Sequence, residues 1–161
     1  MKHILSVLVE NKPGVLSRVT GLVSRRGFNI DSLTVAPTED ATMSRMTIIV
    51  DADEVGYEQI TKQLHKLVSV FKISDFTDSD AIERELVLFK VLATPDRRHE
   101  IIEIANIFRA NIVDVGKSSL TVEATGSASK LDALEDLFRG YGIRQITRTG
   151  KIAMSRGSSD K

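Results

Sequence analysis

Asn11-Lys12-Pro13-Gly14-Val15-Leu16 is the stretch that decides how this chain folds. It joins two different hydrophobic patterns. Before it, Ile4, Leu5, Val7, Leu8 and Val9 form a mostly apolar run of strand length. After it, Val15, Leu16, Val19, Leu22 and Val23 recur at helical spacing and predict a helix over about residues 14–26. The hexapeptide is therefore read as a strand-to-helix turn. Pro13 suits a first helical turn, where its missing N–H costs nothing. Gly14 has no Cβ and lets a ligand approach the backbone. The free N–H groups of a helix start favour an anion, by about 0.3–1 kcal/mol for a carboxylate. Asn11 adds an amide that both donates and accepts. Together they predict a seat for the carboxylate and ammonium of a free amino acid, which points to a sensor rather than a catalyst. A plain turn without a ligand uses the same residue types, so both readings stand at the level of local sequence.

Working outward, Gly27 follows Arg25 and Arg26 and fits the stop of that helix. A strand is predicted over about 28–36, ending at Pro37, and residues 37–42 read as a turn-rich loop. Met46, Ile48 and Val50 alternate as in a strand. Ile60, Leu64 and Leu67 mark a second helix, and residues 68–76 a fourth strand. The order is β-α-β-β-α-β, the ferredoxin-like arrangement of the α+β class. Residues 77–82 are largely polar and mark a boundary. The order then recurs, with a strand over 85–92 and a helical stripe of Ile101, Ile104, Ala105 and Phe108. Short strands over 112–115 and 120–124 follow, then a stripe of Leu131, Leu134, Leu137 and Phe138 and a strand over 143–147. The expected organisation is two ferredoxin-like domains in tandem, residues 1–77 and 83–154, with a flexible tail over 155–161. The repeat is one of architecture and not of chemistry. Where the first unit has its Pro-Gly turn, the second has Thr94-Pro95-Asp96-Arg97-Arg98, without the glycine and with two cations at a helix start.

Composition narrows the function classes. The chain has 161 residues, and its 22 basic and 22 acidic side chains cancel, so nothing in the charge calls for nucleic acid or an anionic membrane. There is no cysteine, which excludes disulfides, thiolate metal sites and cysteine nucleophiles and suits a reducing cytosol. No apolar stretch approaches the ~20 residues that span a bilayer. Met1-Lys2-His3 runs into the first strand without a signal-peptide layout, so a cytoplasmic location is expected. There is no Trp, and the core must be built from Ile, Leu and Val. Two small cores of this kind favour oligomerisation or docking to a partner.

The residues carry a family resemblance. Asn11-x-Pro13-Gly14-Val15-Leu16, followed by Arg26-Gly27-Phe28-Asn29-Ile30, resembles the amino-acid-binding ACT domain. The longer run Arg26-Gly27-Phe28-Asn29-Ile30-Asp31-Ser32-Leu33-Thr34-Val35-Ala36 is more specific. With Ser44-Arg45-Met46-Thr47 and Gln63-Leu64-His65-Lys66-Leu67, it resembles the small, regulatory subunits of acetolactate synthase (acetohydroxyacid synthase). Glu83-Arg84-Glu85-Leu86, Lys130-Leu131-Asp132-Ala133 and Ser155-Arg156-Gly157 extend the likeness over the whole chain. The resemblance implies a subunit that is not itself a catalyst. It implies a large catalytic partner holding thiamine diphosphate, FAD and Mg²⁺, which this chain activates. It further implies feedback inhibition by valine or another branched-chain amino acid of the valine, isoleucine and leucine pathway. ACT domains of this kind are expected to form a homodimer with the effector between two copies. Carried over by position, Asn11, Gly14, Val15 and Leu16 would line one side of the effector and Asn29 and Ile30 the other. Asn11, Asn29 and the N–H groups near Gly14 would hold its polar end, and Val15, Leu16 and Ile30 its aliphatic side chain. Both asparagines are read as lying near the same end of one unit.

Other residues read plainly. His3, His65 and His99 show no ligand spacing, and Asp51-Ala52-Asp53-Glu54 is a solvated, acidic helix start rather than a metal site. Arg25-Arg26 and Arg97-Arg98 are either solvated faces or contacts to the partner. Met43 and Met46 are ordinary strand residues. No catalytic set and no metal site is expected. Three alternatives remain. An RNA-binding module shares the element order, but the third strand carries no aromatic and the net charge is zero. A small hydrolase on this fold would need a nucleophile and base that are not visible. A stand-alone ACT-type amino-acid sensor acting on another partner is the alternative for the first domain.

Overall fold

The computed structural model describes residues 1–157, and these fall into two compact units. One comprises Met1–Ile82 together with the segment from Lys151 onward, the other Glu83–Gly150.

The first unit runs β1 (Lys2–Glu10), α1 (Val15–Arg25), β2 (Asn29–Pro37), β3 (Met43–Asp51), α2 (Glu54–His65) and β4 (Val70–Asp75). Its sheet has the order β2-β3-β1-β4, with every neighbouring pair antiparallel. The core follows from the two periods. Leu5, Val7 and Val9 of β1 alternate toward the helices and meet Met46, Ile48 and Val50 of β3. Val15, Val19, Leu22 and Val23 of α1 and Ile60 and Leu64 of α2 cover them. The second unit runs β5 (Ile82–Leu92), α3 (Arg98–Ile107), β6 (Asn111–Val115), β7 (Ser119–Gly126), α4 (Ala128–Arg139) and β8 (Ile143–Arg148). Its strands lie in the corresponding order β6-β7-β5-β8. Phe89 and Phe138 meet edge to face at 5.5 Å in its core, among Ile101, Leu120, Leu131 and Leu134. The α+β, ferredoxin-like architecture expected twice is present twice.

Several local expectations need correction. Pro13 is not in the first turn of α1. Gly14 is the N-cap, in the left-handed conformation (φ 85°), and the helix begins at Val15. The glycine is therefore set by backbone geometry as well as by open space, because another residue there costs about 1–2 kcal/mol. Leu67 lies beyond α2, in a turn closed by its N–H to the Leu64 carbonyl. A ninth strand, β9 (Ile152–Met154), was not expected. By contacts, residues 151–154 group with the first unit, where Ala153 packs with Ile4, Ile49 and Phe76 on the sheet face away from the helices. Residues 158–161 of the expected flexible tail lie outside the described residues, while Arg156 is paired with Asp80 at 3.2 Å.

The acidic run before α2 has a structural use. Asp53 is the N-cap, its carboxylate accepting from the Gly56 N–H at 2.7 Å. Phe28 lies against the bare Cα of Gly56, where an added Cβ would stand 2.3 Å from the ring and 2.9 Å from the Asp53 carboxylate. Alanine normally gains about 1 kcal/mol over glycine inside a helix. Here overpacking costs about 1–3 kcal/mol and outweighs that gain. Gly56→Ala is expected to lower the urea midpoint of unfolding, and an unchanged or raised midpoint would show that Phe28 moves aside freely.

Candidate functional site

The β1–α1 turn is held by the β2–β3 loop. The Asn11 backbone N–H donates to the Thr42 carbonyl at 2.8 Å, and the Asn11 side-chain N–H donates to the Ala41 carbonyl at 3.0 Å. A carbonyl only accepts, so the amide nitrogen must be the atom that faces Ala41. Asn11 Oδ1 is thus left as an acceptor on an exposed residue. Three residues on, Gly14 opens α1 with no side-chain cap, and its carbonyl accepts from the Arg18 N–H at 3.1 Å. The Val15 N–H turns back to the Lys12 carbonyl at 3.4 Å, and the Leu16 and Ser17 N–H groups that follow have no intrahelical acceptor and no side-chain cap. No atom lies within 4 Å of where a Gly14 Cβ would stand. An uncapped helix start beside an outward amide oxygen can take an anion and a cation together, which is the polar pattern of an amino acid.

Val15 and Leu16 part company. The Val15 side chain is 4% exposed and sits in the core, whereas Leu16 is 43% exposed. Of the two apolar side chains expected at this end, only Leu16 faces outward.

Asn29 and Ile30 are not at this end. Asn29 and Lys2 both pair with Asp51, while Glu10 pairs with Met43. The Asn29 end is therefore separated from Asn11 by the length of β1, about 30 Å at ~3.3 Å per residue. The reading that put the two asparagines near one end is corrected. The α1 helix returns the chain to the end where β1 began, so β2 starts there. Asn29 repeats the Asn11 arrangement in another form. Its side-chain N–H donates to the Asp31 carboxylate at 2.8 Å, and Lys2 pairs with the other Asp31 oxygen at 2.9 Å. Asn29 Oδ1 is likewise left as an acceptor on an exposed residue. Ile30 is half-buried against the core, and β2 is an edge strand with Val35 exposed. Ala41, Thr42, Asp31 and Lys2 belong to these arrangements and were missed. Their contacts join positions up to about thirty residues apart, and no local pattern signals them.

Comparison with known proteins follows the same lines. Residues 5–72 match the family described as AHAS small subunit-like ACT domain, and residues 84–157 match that described as small subunit of acetolactate synthase. The fold and the turn at Gly14 define an ACT-domain regulatory protein. A probable acetolactate synthase small subunit of Archaeoglobus fulgidus is 56% identical over 98% of this chain and 99% of its own. The acetolactate synthase small subunit of Mycobacterium bovis is 54% identical over 96% of this chain and 92% of its own. The crystal structure of the small subunit from Thermotoga maritima matches with a TM-score of 0.87 and 40% identity, over 97% of this chain and 98% of that one. The chain belongs to the acetolactate synthase small subunit family and is a regulatory subunit whose partner is a large catalytic subunit. Among the described residues, no helix is long and apolar enough to cross a membrane.

The Lys2 ammonium and then the Asn29 amide hold the Asp31 carboxyl below its ordinary value of 3.8. A depressed carboxyl keeps its partners above the unfolded value and releases them as pH falls through the folded one. The Asn29 side-chain amide resonances are therefore expected to titrate with a midpoint below 3.8 and to stop titrating in Asp31→Asn. A midpoint at or above 3.8 would show that Asp31 does not anchor Asn29.

Proposed function

We propose that this subunit raises the activity of its catalytic partner and makes that activity sensitive to valine or a related branched-chain amino acid. The observation that carries the reading is the uncapped, left-handed Gly14 start of α1 beside the outward Asn11 Oδ1. Its first-turn N–H groups suit the effector carboxylate, and the amide oxygen suits the ammonium. Leu16 and Ile30 suit an aliphatic side chain of few atoms. A methylene is worth only about 1–3 kcal/mol in such contacts, so leucine and isoleucine act more weakly rather than not at all. In this reading the chemistry, with thiamine diphosphate, FAD and Mg²⁺, stays on the large subunit in the cytoplasm.

The separation of the two half-sites argues for a homodimer. β2 and β1 run in the same direction, so Pro37 of β2 lies at the Asn11 end and Asn29 at the other. Two β2 edges paired antiparallel about a twofold axis set the Asn29 end of each copy beside the Asn11 end of its partner. Each effector then lies between Asn11, Gly14 and Leu16 of one copy and Asn29 and Ile30 of the second.

The test is acetolactate formation by the cognate catalytic subunit while this chain is titrated in, with and without valine. Activation that valine reverses is expected, and an unchanged rate would sink the reading. Gly14→Asp has open space for its side chain, takes on about 1–2 kcal/mol of strain at φ 85°, which circular dichroism should show the fold to tolerate, and puts a carboxylate where the effector's belongs. It should activate normally and lose valine inhibition. Asn11→Ala and Asn29→Ala homodimers should each lose inhibition, whereas mixing the two should restore it in part, because one intact site forms in each mixed dimer. No restoration would show that the two asparagines do not meet across the dimer.

A further inference from the structure

The outer face of the two helices in the first unit carries a feature that effector binding does not use. Arg18, Leu22 and Arg25 form one stripe on α1 at spacings of four and three, and Arg26 follows at the C-cap. Leu22, Arg25, Arg26 and Gln63 line an open groove between α1 and α2. Lys66, at the C-cap one turn after Gln63, extends the positive face along α2, and Lys62 adjoins Gln63 in sequence. The 11-residue α1 contains no acidic residue at all. On α2, Glu58 is paired with Lys62 at 3.2 Å. Among the described residues no carboxylate lies in ion-pair range of Arg18, Arg25, Arg26 or Lys66, although the chain as a whole is neutral.

Helix-terminal arginines complement the helix dipole, and that accounts for one cation at the end of α1. It does not account for Arg18, a full two turns earlier, whereas Lys62 and Lys66 lie in the last turn and at the C-cap of α2 and complement that helix's own dipole. The Arg25 Nε–H is held by the Gly21 carbonyl at 3.2 Å, which fixes the guanidinium plane and leaves its terminal N–H groups for another acceptor. A fixed planar fork beside an apolar floor at Leu22 suits carboxylates in a side-by-side geometry.

We propose that this groove seats an acidic segment of the catalytic subunit, with Arg25 and Arg26 as its principal contacts. The proposal rests on the regulatory reading above and adds the chemistry and location of docking. Its placement suits that role, because Arg26 is separated from Asn29 only by the left-handed Gly27 turn and Phe28.

The experiment titrates wild type, Arg25→Glu/Arg26→Glu and a control, Arg144→Glu on exposed β8, against the full catalytic subunit. Acetolactate formation is followed at about 50 mM and about 300 mM KCl, which shortens the screening length from roughly 13 to 6 Å. The double variant should need at least about tenfold more protein for half-maximal activation at low salt, the scale of a buried arginine anchor. The control should stay within about twofold, and wild type should lose part of its advantage at high salt. Arg25→Gln/Arg26→Gln, which carries no new charge, should fall between, and circular dichroism should match wild type for all. Half-activation by the double variant at the wild-type concentration overturns the proposal, as does an equal loss in Arg144→Glu. A change in oligomeric state in the double variant would make the groove a contact between copies and overturn it as well. Failure of wild type to activate at all would instead overturn the regulatory reading, so the two failures are distinguishable.

Discussion

The antiparallel ladder between β1 and β3 is the constraint on which the first unit depends. It runs without a break from Lys2 opposite Asp51 to Glu10 opposite Met43. Because β2 pairs with the same strand, it fixes where every residue before and after the helices emerges. The turn at Asn11 emerges at one end and Asn29 at the other, about 30 Å apart at ~3.3 Å per residue. An amino acid cannot touch both. The ladder therefore turns a question about a ligand into one about association, since a site using both asparagines needs a second chain. β2 is free to provide it. It is a nine-residue edge strand with no lysine, and edges of that kind pair unless something blunts them.

Much of this was legible in the sequence, and the reasons are specific. The spacing at Val15, Val19, Leu22 and Val23 matches the helical period and burial follows it, while on β3 Met46, Ile48 and Val50 face the helices and Thr47 and Ile49, on the opposite face, are buried too. What escaped was of three kinds. β9 is three residues long, too short for any period to register. Gly14 was read as a point of close approach, whereas its φ of 85° is what makes it the N-cap and moves Pro13 out of the helix. The position of Asn29 was an error of topology. A β-α-β path brings the chain back to where the first strand began, and residue spacing alone does not express that.

The second unit shows how one fold takes or leaves a site. At the start of α3 the counterpart of the Gly14 turn carries Arg97 and Arg98. Arg98 donates to the Gly116 and Lys117 carbonyls at 2.5 and 2.6 Å, and Arg97 lies over the Tyr141 ring at 4.2 Å. These side chains tie the helix start to its own loop and ring, where the first unit leaves it open. The architecture repeats because hydrophobic spacing repeats. The proposed chemistry does not, because it rests on one glycine and one amide.

Consider α1 as a mechanical part. Val15 and Val19 fix it to the core at its open end and Leu22 and Val23 at its closed end, so its 11 residues form a rod about 16 Å long. One end carries the N–H groups proposed for the effector, and the other carries Arg25, Arg26 and the Gly27 turn that leads to Asn29. In a dimer built on β2, an effector therefore touches the start of one rod and, across the interface, the strand that follows the other. It need not deform either core, which close packing would resist. It need only favour one relative setting of the two copies, and a preference of about 1–3 kcal/mol already changes a partner's equilibrium by about 5- to 150-fold. In the proposed dimer, two small cores that each keep their shape, joined through β2, meet that requirement with little stored strain.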